Sequence, residues 1–158
     1  MAHPCPESFT ALVEHVPSLR GVRFTGDRDA TRDLDHLAGQ DHSRWIIKAW
    51  AALLMLSTYT RAKHDGEWSG TFPGYCRQAV AGPVPRQTTL PRRQRPVPHA
   101  RLLPVPLSVS VTGQALMSER ISISTHGVGP CLYYLDRTFD GDGVIVGWIG
   151  RDPTRTRI

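Results

Sequence analysis

Two apolar segments separated by a short Asp–Gly turn constrain the fold of this chain more than any other feature. They occupy residues 131–150, and the turn between them is the Asp-Gly-Asp-Gly sequence of residues 140–143. Aromatic and β-branched residues dominate both segments, and Asp and Gly suit the backbone conformations of tight turns. The pattern predicts an antiparallel hairpin over residues 131–139 and 144–149. Since a packed hairpin accounts for most of residues 131–150, a catalytic motif is not expected in that region.

Upstream of the hairpin, apolar and polar residues alternate in two further segments. Residues 105–112 alternate Val and Leu with Pro, Ser and Thr, and residues 114–124 alternate again before a Gly-rich turn. A period of two is typical of half-buried strands, and proline makes the first segment either an edge strand or an extended lead-in to the sheet. Within the hairpin, Gly147 and Gly150 indicate a bulge or close packing. Residues 107–150 are therefore predicted to form three to four antiparallel strands.

A helical pattern is clearest between Ser43, a predicted N-cap, and Gly66, a predicted C-terminal stop. Large apolar residues recur there every three or four positions, as on one face of an α-helix. They are Ile46, Trp50, Leu53, Leu56 and Tyr59. The most hydrophobic run, residues 46–56, is shorter than the roughly 20 apolar residues that a membrane span needs. We therefore predict a buried core helix and no membrane partner.

These patterns predict a single α+β domain over residues 1–158, a length that suits one hydrophobic core. N-terminal helices are expected to pack on a three- to four-stranded antiparallel C-terminal sheet. Residues 1–81 are predicted to be mainly helical and residues 107–150 to form the sheet. Residues 82–106, with seven prolines, are predicted to be a Pro/Arg-rich loop, and residues 151–158 a solvated tail.

The positive charge of the chain is unevenly distributed. The net charge is +5, yet residues 1–67 carry eight Lys/Arg against nine Asp/Glu, and residues 68–118 contain no acid at all. The acid-free stretch is predicted to contact a polyanion, either nucleic acid or an acidic protein surface, through six arginines. These are Arg77, Arg86, Arg92, Arg93, Arg95 and Arg101. Because 17 of the 19 basic residues are arginine, whose codons are GC-rich, genome composition alone is the competing explanation.

An enzymatic alternative rests on His126 together with Asp136 or Asp140, which lie near one end of the predicted sheet. An imidazole can act as a general base and a neighbouring carboxylate can orient it. No metal-binding spacing, nucleotide-binding loop or hydrolase signature accompanies them, so neither a metal site nor a cofactor is predicted. The alternative is a small metal-dependent or His/Asp-dependent hydrolase or nuclease.

The leading interpretation is a non-enzymatic interaction or accessory module whose basic loop contacts an acidic partner such as nucleic acid. A third alternative, a structural protein–protein interaction domain, would be favoured if Tyr134 and Trp148 were exposed in one apolar patch. The N-terminal residues lack the basic and apolar regions of a signal peptide, and three widely spaced cysteines form no disulfide framework. A cytoplasmic location is therefore predicted.

Residues from about 50 to 156 resemble the C-terminal region of uncharacterised actinobacterial proteins. The resemblance rests on an apolar helix that runs into Tyr59, on the Leu-Pro-Val-Pro segment 103–106, and on the Leu-Tyr-Tyr segment 132–134 followed by Asp136. It covers about two thirds of the chain and implies no known activity. After residues 149–151 those proteins are expected to carry His-Leu, whereas this chain has Asp-Pro.

Overall fold

A computed structural model describes residues 3–79, 86–89, 101–124 and 129–153. The helices are α1 (Phe9–His15), α2 (Arg28–Arg32), α3 (Leu34–Leu37), α4 (His42–His64) and α5 (Phe72–Gln78). The strands are β1 (Val22–Phe24), β2 (Arg86–Thr89), β3 (Leu102–Pro104), β4 (Gln114–Leu116), β5 (Glu119–Ser122), β6 (Pro130–Arg137) and β7 (Gly143–Arg151). Short 3₁₀ turns occupy Val16–Ser18, Gly39–Asp41 and Thr138–Asp140. The predicted α+β class is confirmed.

The main sheet is larger than predicted and is mixed. Its five strands lie in the order β1-β7-β6-β5-β2, with β1 parallel to β7 and the other pairs antiparallel. Strands β3 and β4 form a separate two-stranded antiparallel ribbon. The prediction of a wholly antiparallel sheet was wrong because β1 comes from the helical half of the chain. Strand β2 also lies within the segment that was predicted to be a loop.

The hairpin of β6 and β7 is confirmed, together with its bulge. Tyr133 pairs with Trp148, but Tyr134 pairs with Val146, so Gly147 is the extra residue on β7. Successive side chains of β6 point to opposite faces of the sheet. Leu132 and Tyr134 belong to a cluster with the helices, whereas Tyr133 belongs to a second cluster with the β3–β4 ribbon. The hairpin is therefore buried on both faces, between the helices and the ribbon.

Helix α4 is confirmed as the main helical element of the core. Its residues Leu53, Leu56 and Tyr59 are each 0% exposed and pack with apolar side chains of β5, β6 and β7. The helix begins at His42, and Ser43 is not its N-cap; Asp41 holds that position without a side-chain hydrogen bond. Leu→Ala substitutions at such sites typically cost 2–5 kcal/mol in proteins, so this contact is a major source of stability.

The two alternating segments upstream of the hairpin were interpreted as longer strands than the structure contains. Residues 107–109 form a turn, and the side chains of Leu107 and Val111 are 71% and 92% exposed. Prolines before this segment remove ladder donors, and the chain turns back where the Val105 amide donates to the Gly113 carbonyl. The second segment divides at residues 117 and 118 into β4 and β5, which belong to different sheets.

The predicted solvated tail is also corrected at its first residues. Asp152 is 5% exposed, and its carboxylate accepts hydrogen bonds from Arg120 Nε and the Tyr133 hydroxyl, both at 3.2 Å. Asp152 follows the last residue of β7, and this position at the end of a buried strand places its side chain in the interior. Its burial is stabilised by these two donors, since a buried carboxylate requires partners. Residues 154–158 lie outside the described residues.

A carboxylate from α3 caps the first helix. Asp35 accepts hydrogen bonds from the backbone amides of Phe9 and Thr10 at 2.7 and 3.0 Å, and it contacts His42 Nε2 at 2.7 Å. Within α1 itself, the Ser8 hydroxyl accepts from the Ala11 amide. Burial opposes ionisation of Asp35, but the hydrogen bonds from His42, Phe9 and Thr10 outweigh it and lower its pKa.

Asp35→Asn should reduce the free energy of unfolding by about 1–2 kcal/mol at neutral pH, because a charged cap is lost. Since the pKa of Asp35 is lower in the folded state, its stabilising effect is complete above the unfolded value of about 3.9 and is lost as the pH falls through the folded value. Urea unfolding of both proteins between pH 5 and pH 2.5 measures the difference. The difference in free energy of unfolding between the two proteins should decrease below about pH 4. A difference that stays constant or increases would show that ionised Asp35 does not stabilise the fold.

Candidate functional site

The arginines of the predicted basic segment differ in their burial and in whether the structure describes them. Arg77 is exposed on α5, and Arg86 begins β2. Three others, Arg92, Arg93 and Arg95, lie outside the described residues. Arg101 is 1% exposed, so the prediction that it contacts a partner at the surface was wrong. The physical reason is its position: its carbonyl accepts from the Met117 amide, which draws this residue into the start of the β3–β4 ribbon against the sheet.

A different basic surface forms around the loop between α1 and β1. Two cavities of about 320 and 420 Å³ both include Gly21 and Asp142 in their walls. The exposed side chains of Arg23 and Arg28 line the first, and those of Arg20 and Arg61 line the second. We call the surface formed by these four arginines the basic groove. Among the described residues, none of the four lies within 4 Å of a carboxylate oxygen.

The fold holds the basic groove in place through backbone contacts. The Gly21 carbonyl accepts from the Val144 amide at 2.8 Å, which attaches this loop to β7. The Arg20 carbonyl accepts from the Ser57 hydroxyl at 2.7 Å, which attaches it to α4. Arg23 follows on β1, on the exposed side of that strand. The arginine backbones therefore rest on the core, while their side chains remain in solvent.

Two carboxylates, Asp65 and Asp142, also line the basic groove. Asp142 lies 3.9 Å from Arg137 Nη2, a group that also lies 3.1 Å from Asp140, and Asp65 lies 3.3 Å from His64 Nδ1. Four guanidinium groups thus face two carboxylates, so the basic groove is positive. Sequence reasoning missed it because its arginines are scattered among nine acids, and only folding brings them together.

A third cavity has Asp136, one of the predicted enzymatic residues, in its wall. It has a volume of about 500 Å³ and lies between the first turn of α5, the start of β5 and the end of β6. We call it the Asp136 cleft. Its walls are formed by Thr71, Phe72, Pro73, Leu116, Ser118, Glu119, Tyr134, Leu135, Asp136 and Phe139.

Hydrogen bonds fix Asp136 at the wall of this cleft. The Tyr59 hydroxyl donates to Oδ2 at 2.5 Å, and the amide and hydroxyl of Thr138 donate to Oδ1 at 2.9 and 2.6 Å. Burial, together with the hydrogen bond to Asp136, raises the pKa of Tyr59. Burial, with the nearby charges of Glu119 and Asp136, also raises the pKa of Tyr134. Both phenols therefore stay protonated at neutral pH.

The other members of the predicted enzymatic set are not found in this cleft. Asp140 is not part of its walls, and its carboxylate lies 3.1 Å from Arg137 Nη2 on the hairpin turn. His126 lies outside the described residues. Within the described parts of the chain, no three His, Cys, Asp or Glu side chains are grouped closely enough to hold a metal ion. The arrangement around Asp136 is thus one of a fixed carboxylate beside two protonated phenols.

The exposed aromatic pair that would favour the structural alternative, Tyr134 with Trp148, is not found in the structure. Tyr134 is 1% exposed and belongs to the cluster that includes the helices, whereas Trp148 packs against the second cluster, on the other face. The bulge after Tyr133 does not change this separation. Among the helices that the structure describes, none is long and apolar enough to cross a membrane.

Comparisons with protein-family models, with curated protein sequences and with solved structures gave no significant match.

Proposed function

We propose that this protein is a non-enzymatic binding module that holds nucleic acid in the basic groove. The observation that carries the proposal is the convergence of four exposed arginines, without ion-pair partners among the described residues, on two adjoining cavities. A cluster of like charges destabilises the free protein slightly. A polyanion relieves that repulsion and releases condensed counterions, which drives association.

The chemistry of the basic groove supports phosphate as the recognised group. The guanidinium group of arginine is planar and donates two parallel hydrogen bonds to a phosphate, an arrangement that lysine cannot match. Phe24, half-buried, lines the same cavity as Arg23 and Arg28. Its ring offers an apolar contact to a base, and stacking on aromatic side chains is a common part of single-strand binding. An acidic protein surface would use the charges but not this ring.

The predicted basic segment belongs to the same proposal as a second contact. Arg77 is exposed, and Arg86, Arg92, Arg93 and Arg95 follow it in the sequence. The proposed setting is the cytoplasm, as the sequence predicts.

Removing charge from the basic groove should weaken binding and reduce its dependence on salt. The variants are Arg20→Gln/Arg61→Gln and Arg23→Gln/Arg28→Gln, titrated by fluorescence anisotropy with a labelled single-stranded oligonucleotide from 25 to about 300 mM salt. Each arginine that contacts a phosphate should reduce the slope of log K against log salt by about 0.7–1. Arg44→Gln is the matched control, because Arg44 is 76% exposed on α4 but does not line either cavity.

Two results would contradict the proposal. One is the absence of oligonucleotide binding at 25 mM salt; the other is equal weakening by the control variant and the groove variants. Polyglutamate, titrated in parallel, distinguishes the partner classes. If polyglutamate binds as tightly as the oligonucleotide and with the same dependence on the four arginines, the partner is an acidic protein surface.

A further inference from the structure

We infer that the basic groove recognises guanine within a single-stranded nucleic acid, and that the Asp142 carboxylate binds this base. The inference rests on the proposed nucleic-acid binding and adds a base preference to it. Asp142 lies in the walls of both cavities of the basic groove, and its side chain is 44% exposed. A carboxylate at this position repels phosphate, so a groove that bound only the backbone of a strand would bind it better without Asp142.

The hairpin turn does not use the Asp142 carboxylate. Aspartate is common in turns because its side chain hydrogen-bonds to nearby backbone amides and because it tolerates positive φ angles. Asp136 makes such a bond, since its Oδ1 accepts from the Thr138 amide at 2.9 Å. The Asp142 carboxylate accepts no hydrogen bond from any residue that the structure describes, and its φ angle is not positive.

The one basic group beside Asp142 among the described residues is closer to another carboxylate. Arg137 Nη2 lies 3.9 Å from Asp142 Oδ2, which is beyond hydrogen-bond distance, and 3.1 Å from Asp140 Oδ2. Both oxygens of Asp142 therefore keep their capacity to accept hydrogen bonds from a ligand.

The cavity of about 320 Å³ combines Asp142 with an aromatic ring and two arginines. Phe24 is half-buried in its wall, and Arg23 and Arg28 line it with exposed side chains. The volume falls within the range of about 300–1,000 Å³ that is usual for small-molecule sites. A base in this cavity can stack on Phe24 while the arginines contact adjacent phosphates. Such a base must be unpaired, which requires a single strand.

Hydrogen-bond chemistry selects guanine among the bases. An ionised carboxylate only accepts hydrogen bonds, and it does so through two oxygens. Guanine alone presents two adjacent donors, N1–H and the N2 amino group, on the Watson–Crick edge that a single strand exposes. Adenine, cytosine and thymine each present one donor group beside an acceptor, and that acceptor repels the carboxylate. Hydrogen bonds to an ionised group are roughly twice as strong as neutral ones, so the preference is large enough to measure.

Short thymine oligonucleotides with one central substitution test the inference, with binding followed by fluorescence anisotropy at low salt. A central guanine should bind about tenfold more tightly than a central adenine, cytosine or thymine, because a bidentate contact to a base discriminates by about this factor. Hypoxanthine keeps N1–H but lacks the N2 amino group, so it should lose most of that preference. A single guanine in each strand prevents the strands from forming four-stranded structures.

Asp142→Asn should change the affinities for two of these strands in opposite directions. Because a negative charge is removed, the all-thymine strand should bind about twofold more tightly. Because an amide presents one acceptor and one donor, the guanine strand should bind about threefold more weakly. Asp41→Asn is the matched control and should leave the guanine preference unchanged: Asp41 is 56% exposed and lines neither cavity.

Failure of this inference can be told apart from failure of the proposed function. If no oligonucleotide binds, both fail. If all the substituted strands bind the unmodified protein equally, or if Asp142→Asn strengthens all of them alike, the inference is overturned and the proposed function stands. The comparison of guanine with hypoxanthine uses the unmodified protein, so it decides the question even where the variant does not fold.

A free nucleotide is separated from a strand by competition. Guanosine monophosphate, added at the concentration of the guanine oligonucleotide, should not displace it, because a mononucleotide carries one phosphate for the four arginines of the groove. Displacement at equal concentration would identify a free nucleotide as the ligand and would overturn the inference.

Discussion

Replacing Gly143 with alanine should lower the free energy of unfolding by on the order of 3–5 kcal/mol, whereas the same change at Gly141 should cost about 1 kcal/mol. Both glycines have positive φ angles, of 75° and 79°, so both substitutions impose the strain of a left-handed conformation. They differ in their surroundings. A Cβ atom at Gly143 would overlap the backbone carbonyl of Gly21, whereas one at Gly141 would have no other atom within 4 Å.

The overlap at Gly143 cannot be relieved cheaply. The Gly21 carbonyl accepts a hydrogen bond from the Val144 amide. This bond lies at the end of β1 where its parallel pairing with β7 begins, at Val22 and Val144. Moving the carbonyl would detach the strand that joins the N-terminal half to the sheet. Chemical unfolding measures both variants, and hydrogen exchange of the amides of β1 reports whether that strand is released. Equal destabilisation by the two substitutions would mean that β1 does not approach the start of β7 in this way.

Asp152→Ala should also destabilise the fold strongly, by about 3–5 kcal/mol, because it leaves a buried cation without its carboxylate. The Arg120 side chain is 13% exposed and the Asp152 side chain 3%. The same substitution also removes a hydrogen bond that the buried Tyr133 hydroxyl donates to Asp152. Asp29→Ala is the matched control: Asp29 also pairs with an arginine, but it is 87% exposed, and its loss should change stability by less than about 0.5 kcal/mol.

A double-mutant cycle separates the ion pair from simple loss of packing. Arg120→Met in the Asp152→Ala background removes the stranded charge and should restore part of the lost stability, giving a coupling energy of about 1–3 kcal/mol. Additive effects of the two substitutions would refute the ion pair. The ion pair would also be refuted if Asp152→Ala and Asp29→Ala had the same free energy of unfolding.

The sequence was sufficient to predict the elements whose periodicity extends over many residues. The α4 helix repeats its apolar positions through five turns, and the β6–β7 hairpin combines two long strands with an Asp-Gly turn. Strand β1, by contrast, is three residues long, too short for a period of two to be recognised. Val22 of β1 pairs with Val144, more than 100 residues further along the chain. No local sequence pattern therefore predicts a parallel strand at the edge of the sheet.

The candidate sites were less predictable because each depends on contacts between distant segments. The basic groove combines Arg20 and Arg61, whose local sequence is nearly neutral, and only the packing of α4 on the loop before β1 brings them to one cavity. Arg101 was misassigned because composition reports charge but not burial. Asp136 was predicted to be part of an enzymatic site, and that stays a prediction; its hydrogen-bond partner Tyr59, 77 positions away on α4, could not be predicted from the sequence.

Arginine footprinting shows whether nucleic acid occupies the basic groove. Phenylglyoxal modifies accessible guanidinium groups, and peptide mass spectrometry gives the rate for each arginine with and without a single-stranded oligonucleotide at low salt. We expect the four groove arginines to be modified more slowly when the oligonucleotide is added, while Arg44 reacts at an unchanged rate. These four are Arg20, Arg23, Arg28 and Arg61. Unchanged rates at all four, with protection confined to residues 77–95, would contradict it.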